Sequence, residues 1–121
     1  PELFDRTGAT ACLDTGHAHV TGTSLSDQAD LLREHGDRIS HVHLNDTRMD
    51  EDDEHLPVGV GKLDFAELAD AMVETGWSGT CTHEVYTFDH EPRAFGKGRF
   101  DRLLARRDED ADGATARTRP R

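Results

Sequence analysis

The chain is short of positive charge: 14 Lys and Arg stand against 25 Asp and Glu in 121 residues, a formal net charge of −11. Affinity for nucleic acid comes largely from neutralising phosphates, so this balance disfavours such a partner. A strongly acidic, hydrated surface also keeps proteins dispersed in a very salty cytoplasm. A halophilic source is therefore an expectation, and under it charge would discriminate less against DNA. Cysteine is nearly missing too. Cys12 and Cys81 make no disulfide framework, and both fall in short apolar runs, which predicts free, packed thiols in a reducing cytosol. No apolar run approaches the ~18 residues of a membrane span, and no basic-then-apolar leader is visible. The expected location is cytoplasmic. With 34% hydrophobic residues and a mean hydropathy of −0.75, the core should be lean and the chain one domain at most. It opens at Pro1 in what reads as the tail of a preceding element, as a fragment would.

What is present alternates between strands and helices. "ATACLD" (Ala9–Asp14) reads as a strand entering the Gly- and Thr-rich loop "TGHAHVTGT". Ser24 and Asp27 have capping-box spacing ahead of a helix with Leu25, Ala29 and Leu32 on one face and Gly36 as its stop. "RISHVHLND" (Arg38–Asp46) is the second strand. A long acidic loop, "TRMDEDDEHLPVGVGKL", follows, and loops of that length are usually functional or disordered. Asp64 is expected to cap a helix carrying Phe65, Leu68, Ala69 and Met72, with Gly76 as its end. "SGTCTHEVY" (Ser78–Tyr86) is the third strand, and a last helix spans Pro92–Arg106, burying Phe95, Phe100, Leu103 and Leu104. Residues 1–107 thus form the ordered part, and 108–121, with no apolar face, a disordered tail.

Strand–helix alternation predicts βαβ units and a parallel sheet. Alternate side chains of a strand share a face. This groups Cys12 with Asp14, His41 with His43, and Thr80 and Thr82 with Glu84 and Tyr86. The opposite faces hold Ala11 and Leu13, Val42 and Leu44, Cys81 and Val85. Each strand is apolar on one side and polar on the other. Each polar side ends in Asp14, His43 or Glu84, near the C-terminal edge where parallel α/β folds place their chemistry.

Singly, an inward His or Asp is most often a hydrogen-bonded polar residue. Jointly, an Asp, a His and a Glu on one sheet face would repel or stay unsatisfied without a cation. Their mixed oxygen and nitrogen donors suit Mn²⁺, Zn²⁺ or Mg²⁺. His17, Asp53 and His55 come from loops above that edge, and their D-x-x-H and D-x-H spacings let one ion or one substrate hydroxyl meet both members. Most of the acidic run Asp50–Glu54 reads as a solvated loop. Pro57, Gly59 and Gly61 would turn Asp53 and His55 back toward the site. His19, His35, His83 and His90 read as surface or packing residues, and Trp77 as closing the core. "GVG" has too few glycines for a phosphate-cradling loop.

The motifs "CLDTGHA", "HVHLND", "DEHLPVGVGKLDF" and "HEVY", in this order and spacing, resemble the xylose isomerase-like TIM-barrel superfamily. That group includes sugar-phosphate isomerases and epimerases, inosose dehydratase, hydroxypyruvate isomerase and endonuclease IV. The resemblance covers about Ala9 to Tyr86 and implies an α/β fold, the C-terminal part (about strands six to eight) of a (β/α)8 barrel. It implies metal ligation by Asp14, His43 and Glu84, with His17 touching substrate and Glu84 also shuttling a proton at carbon. The metal there polarises the adjacent carbonyl and stabilises an enediolate. In endonuclease IV, the counterparts of His17, Asp53 and His55 hold a further zinc.

The family's second catalytic Glu, on the fifth strand, has no counterpart in these 121 residues, and a whole barrel takes about 250 residues. Little or no isomerase activity is therefore expected of the chain alone. The leading expectation is a metal-dependent isomerase or epimerase acting on a sugar or polyol. A zinc-dependent endonuclease for abasic sites is the alternative, disfavoured by the acidity and by Arg48 and Lys62 being the only basic residues between His43 and Glu84. An inactive remnant is the third. Oligomeric state stays open, a homo-oligomer included.

Overall fold

Three short parallel strands, each preceded by a helix, set the frame in this computed structural model, which describes residues 2–117. Helix α1 (Glu2–Thr7) leads into β1 (Ala11–Asp14), short helix α2 (Thr15–Val20) and α3 (Leu25–His35). A 3-10 turn (Gly36–Arg38) enters β2 (Ile39–Leu44), and after a long loop α4 (Ala66–Thr75) precedes β3 (Thr80–His83) and α5 (His90–Arg117). The strand order is β1-β2-β3, parallel throughout. Among the described residues no helix is long and apolar enough to cross a membrane.

The alternation of the strands decides which side of the sheet is dry. Leu13, Val42 and Leu44 are buried under α3 and α4, which pack on each other through Leu25, Ala29, Leu32, Leu68, Ala69 and Met72. Each fully buried leucine here contributes roughly 1.5–3 kcal/mol through the water it sheds. The capping box forms in full: Ser24 Oγ accepts the Asp27 N–H and the Asp27 carboxylate accepts the Ser24 N–H. Gly76 ends α4 at φ 63°, a left-handed cap that a side chain would disfavour. Trp77 donates its indole N–H to Ile39 O at 2.7 Å, closing the core beside it.

Several local expectations differ from the structure. "TGHAHV" is helical rather than loop, because the Asp14 carboxylate accepts the His17 N–H and starts a turn. Helix α4 begins one residue after Phe65, with Asp64 Oδ1 accepting the Ala66 N–H. Cys12 is exposed on the polar face rather than packed, and Cys81 is half-buried; both are free. Burial pushes the Cys81 thiol up to about 11. Phe95 stays 48% exposed, its ring under the Arg99 guanidinium 5.6 Å away, while Phe100 enters the core. Helix α5 continues beyond Arg106, tied back to α4 by an Arg107–Asp70 ion pair. It runs to Arg117, into the segment expected to be a tail, of which residues 118–121 lie outside the described residues.

Candidate metal centre

Strand register brings the first two side chains together. Asp14 pairs with His43 across β1–β2, and His43 pairs with Thr82 across β2–β3. Glu84, two residues past Thr82 and just beyond the end of β3, therefore lies on the same face, its N–H bonded to Leu44 O. The outcome is a compact cluster. His43 Nδ1 is 2.9 Å from Glu84 Oε2 and 3.4 Å from Asp14 Oδ2. One donor atom from each of Asp14, His43 and Glu84 lies within 4.8 Å of the others, and the same holds for Asp14, His17 and His55.

The second group arrives from helix α2 and the long loop. His17 Nδ1 is 3.1 Å from Asp14 Oδ1 and 3.4 Å from Asp53 Oδ2. His55 is 4% exposed and adopts φ 50°, a left-handed conformation uncommon for a side chain this large. Its ring stacks on Tyr86 at 4.1 Å and 4°, and its Nε2 points toward Glu84 Oε2 at 4.0 Å. All six side chains singled out in the sequence thus meet at one edge of the sheet. His41, which pairs with none of them, hydrogen-bonds Thr82 and sets its ring edge-on to His43.

Four further residues shape the cluster; they lie within the quoted motifs, but the pattern assigned none of them a role. Asn45, fully buried, donates its amide to Asp14 Oδ1. Thr15 Oγ1 and the Asn45 backbone exchange hydrogen bonds across β1 and β2. Gly16 packs so close that a Cβ there would collide with Asn45 and Asp53. Asp46, also fully buried, accepts the backbone N–H groups of Thr47, Gly59, Gly61 and Leu63 at 2.9–3.0 Å. This carboxylate ties the far end of the long loop to the end of β2 and so sets where Asp53 and His55 stand. Only the "HLND" motif itself hinted at it.

The electrostatics follow from the geometry. Burial pushes the Asp14 carboxyl up, but the His17 N–H, the Asn45 amide and the His17 ring together hold it below its ordinary value. The Asp14 hydrogen bond raises the His17 imidazole. Glu54, between Asp53 and His55 on the loop, is held down at about 2 by Arg48.

A divalent cation fits these residues. Three carboxylates and three imidazoles converge in a small volume, and two of their buried atoms, Asp53 Oδ2 and His55 Nε2, have no hydrogen-bond partner among the described residues. Buried polar atoms are rarely left so. Oxygen and imidazole nitrogen are the donors that Mn²⁺, Zn²⁺ and Mg²⁺ accept.

Residues 2–102 match the family described as xylose isomerase-like TIM barrel. The chain is 33% identical over 76 residues to fructoselysine 3-epimerase of Escherichia coli O157:H7, covering 62% of this chain and 27% of that one. It is 35% identical over 78 residues to a probable endonuclease 4 of Mycobacterium bovis (strain BCG / Pasteur 1173P2), covering 62% and 31%. A crystal structure of a D-tagatose 3-epimerase-like protein superposes with a TM-score of 0.71 at 27% identity, covering 84% of this chain and 37% of that one. The chain spans about a third of the length of the proteins it matches.

Proposed function

The chain belongs to the xylose isomerase-like TIM-barrel family, and from that premise we propose that it carries the metal-binding edge of a sugar epimerase or isomerase. In this reading β1, β2 and β3 are the sixth, seventh and eighth strands of the barrel. Asp14, His43 and Glu84 hold the cation, and one observation carries the reading: their donor atoms lie within 4.8 Å of one another at the C-terminal ends of three adjacent strands. The cation would supply positive charge that polarises a ketose carbonyl and eases loss of the neighbouring proton.

The chain's own groups supply part of the rest. Glu84, a third exposed, is the carboxylate of the set that substrate can reach from the polar face. It would serve as one of the two carboxylates that shuttle the proton at carbon through an enediolate, one removing it and the other delivering it. His17, its side chain 62% exposed and its Nδ1 engaged by Asp14, turns its other nitrogen to a substrate hydroxyl. His55, fixed by Tyr86, and Asp53 flank this hydroxyl or hold a second ion. The substrate class is a small sugar or polyol, the chemistry named for the two epimerase relatives.

A zinc endonuclease is the second reading. The Asp14–His17–His55 group, adjacent to the first, and the likeness to a probable endonuclease 4 favour it; the net charge of −11 weighs against a DNA partner. Metal stoichiometry separates them. One or two Mn²⁺ ions per chain are expected, with affinity falling at least about ten-fold, or roughly 1.4 kcal/mol, in Asp14→Asn, His43→Gln and Glu84→Gln. Three tightly held zinc ions, with cleavage of a duplex carrying an abasic site, would replace this reading with the nuclease. A chain that binds no divalent ion would be an inactive remnant.

A further inference from the structure

Away from the metal edge, α5 and the 58–65 loop enclose a cleft of about 270 Å³ lined by Arg99, Arg102 and Arg106. The spacing of the three, three and then four residues apart, puts them on one face of α5. Among the described residues none of the three has a carboxylate within ion-pair distance, whereas Arg33, Arg38, Arg48 and Arg107 all do. Among the described residues Arg6 and Arg93 also lack an ion pair, so it is the gathering of three such guanidinium groups in one cleft, in a chain with 25 acidic residues, that calls for an anion. Like charges this close repel one another and are relieved by a bound anion or by salt.

The opposite wall suits such a guest. Arg99 lies flat against Gly59, where a Cβ would collide with its guanidinium, so the glycine lets the arginine sit against the loop. Asp64, the one carboxylate among the described residues lining the cleft, already accepts the Ala66 N–H at Oδ1. Guanidinium groups meet tetrahedral oxyanions with paired, charge-assisted hydrogen bonds, which a lone point charge cannot supply.

We propose that this arginine-lined cleft between α5 and the 58–65 loop is a binding site for a phosphate-class dianion, either free phosphate or the phosphate of a small ester. The site is separate from the metal centre, yet its loop wall is fastened by Asp46 and continues the segment that carries Asp53 and His55.

The test is titration of the metal-free chain, in EDTA and low salt, with inorganic phosphate and with a sugar phosphate, followed by calorimetry and by amide shifts of Gly59 and Leu63. Saturable binding is expected that an equal concentration of chloride does not displace. Arg102→Gln should weaken it at least about ten-fold, the loss of one charge-assisted pair. The triple Arg99→Gln, Arg102→Gln, Arg106→Gln variant should abolish it, and these exposed positions leave folding intact, checked by circular dichroism. Asp64→Asn should tighten it by removing a like charge. Equal affinity for both ligands identifies free phosphate as the guest, and tighter binding of the sugar phosphate identifies an ester. No saturable binding, or binding that survives the triple substitution, overturns the proposal.

Discussion

Two buried carboxylates on the same loop do opposite things. Asp46 is fully buried and both its oxygens are saturated by four backbone N–H groups. Asp53, seven residues on and nearly as buried, keeps Oδ2 without a hydrogen-bond partner, 3.4 Å from His17. A satisfied buried carboxylate holds structure in place; an unsatisfied one beside other carboxylates raises the energy of the metal-free fold. The difference teaches where this chain stores stability and where it spends it for binding.

The largest effect should come from the satisfied member. Asp46→Ala orphans several buried N–H groups at once and is expected to cost about 3–5 kcal/mol in urea unfolding of the metal-free chain. A loss below about 1 kcal/mol would mean that water replaces the carboxylate and that the contrast is not real. Next, adding Mn²⁺ at about 100 times its dissociation constant should stabilise the wild-type chain by roughly 2.7 kcal/mol. Glu84→Gln should show far less of that gain under the same conditions, and an equal gain would place the ion elsewhere. Smaller still, Asp53→Asn should leave metal-free stability unchanged or raise it by up to about 1 kcal/mol while weakening metal affinity. A clear destabilisation would make Asp53 a second Asp46.

The smallest effect is electrostatic. The Asp14 hydrogen bond raises the His17 imidazole, so this pair stabilises the fold fully below the ordinary histidine value and loses that contribution as pH rises through the folded value. Asp14 is held low, so its own contribution is present above the ordinary carboxyl value and fades as pH falls through the folded one. In Asp14→Asn, the His17 ring resonance should titrate at lower pH than in the wild-type chain. An unchanged midpoint would show that the pairing is not formed in solution.

Much of the architecture could be read from residue order alone. Period-two alternation in "CLD", "HVHL" and "TCTHE" places Leu13, Val42 and Leu44 on the dry face and groups Asp14, His43 and Glu84 on the other, because a strand leaves a side chain only two sides to choose from. The Ser24–Asp27 box and Gly76 are equally local. Phe95 shows the limit within a helix: it fits the apolar stripe of α5, yet the core beneath is filled by Phe100 and the ring stays at the surface.

In the long loop no period exists to constrain the chain. That Asp53 and His55 reach His17 and Glu84 depends on Asp46 gathering Gly59, Gly61 and Leu63, on Gly16 leaving room, and on Tyr86 stacking against His55. Those contacts join residues at least 13 positions apart, and none has a spacing rule. The sequence by itself determined the parallel α/β pattern and the shared face of Asp14, His43 and Glu84, since both follow from local geometry. Only the tertiary structure decided which buried carboxylate holds the loop, which keeps an oxygen without a hydrogen-bond partner among the described residues, and where three arginines line one cleft, because each depends on hydrogen bonds and charges brought together across the fold.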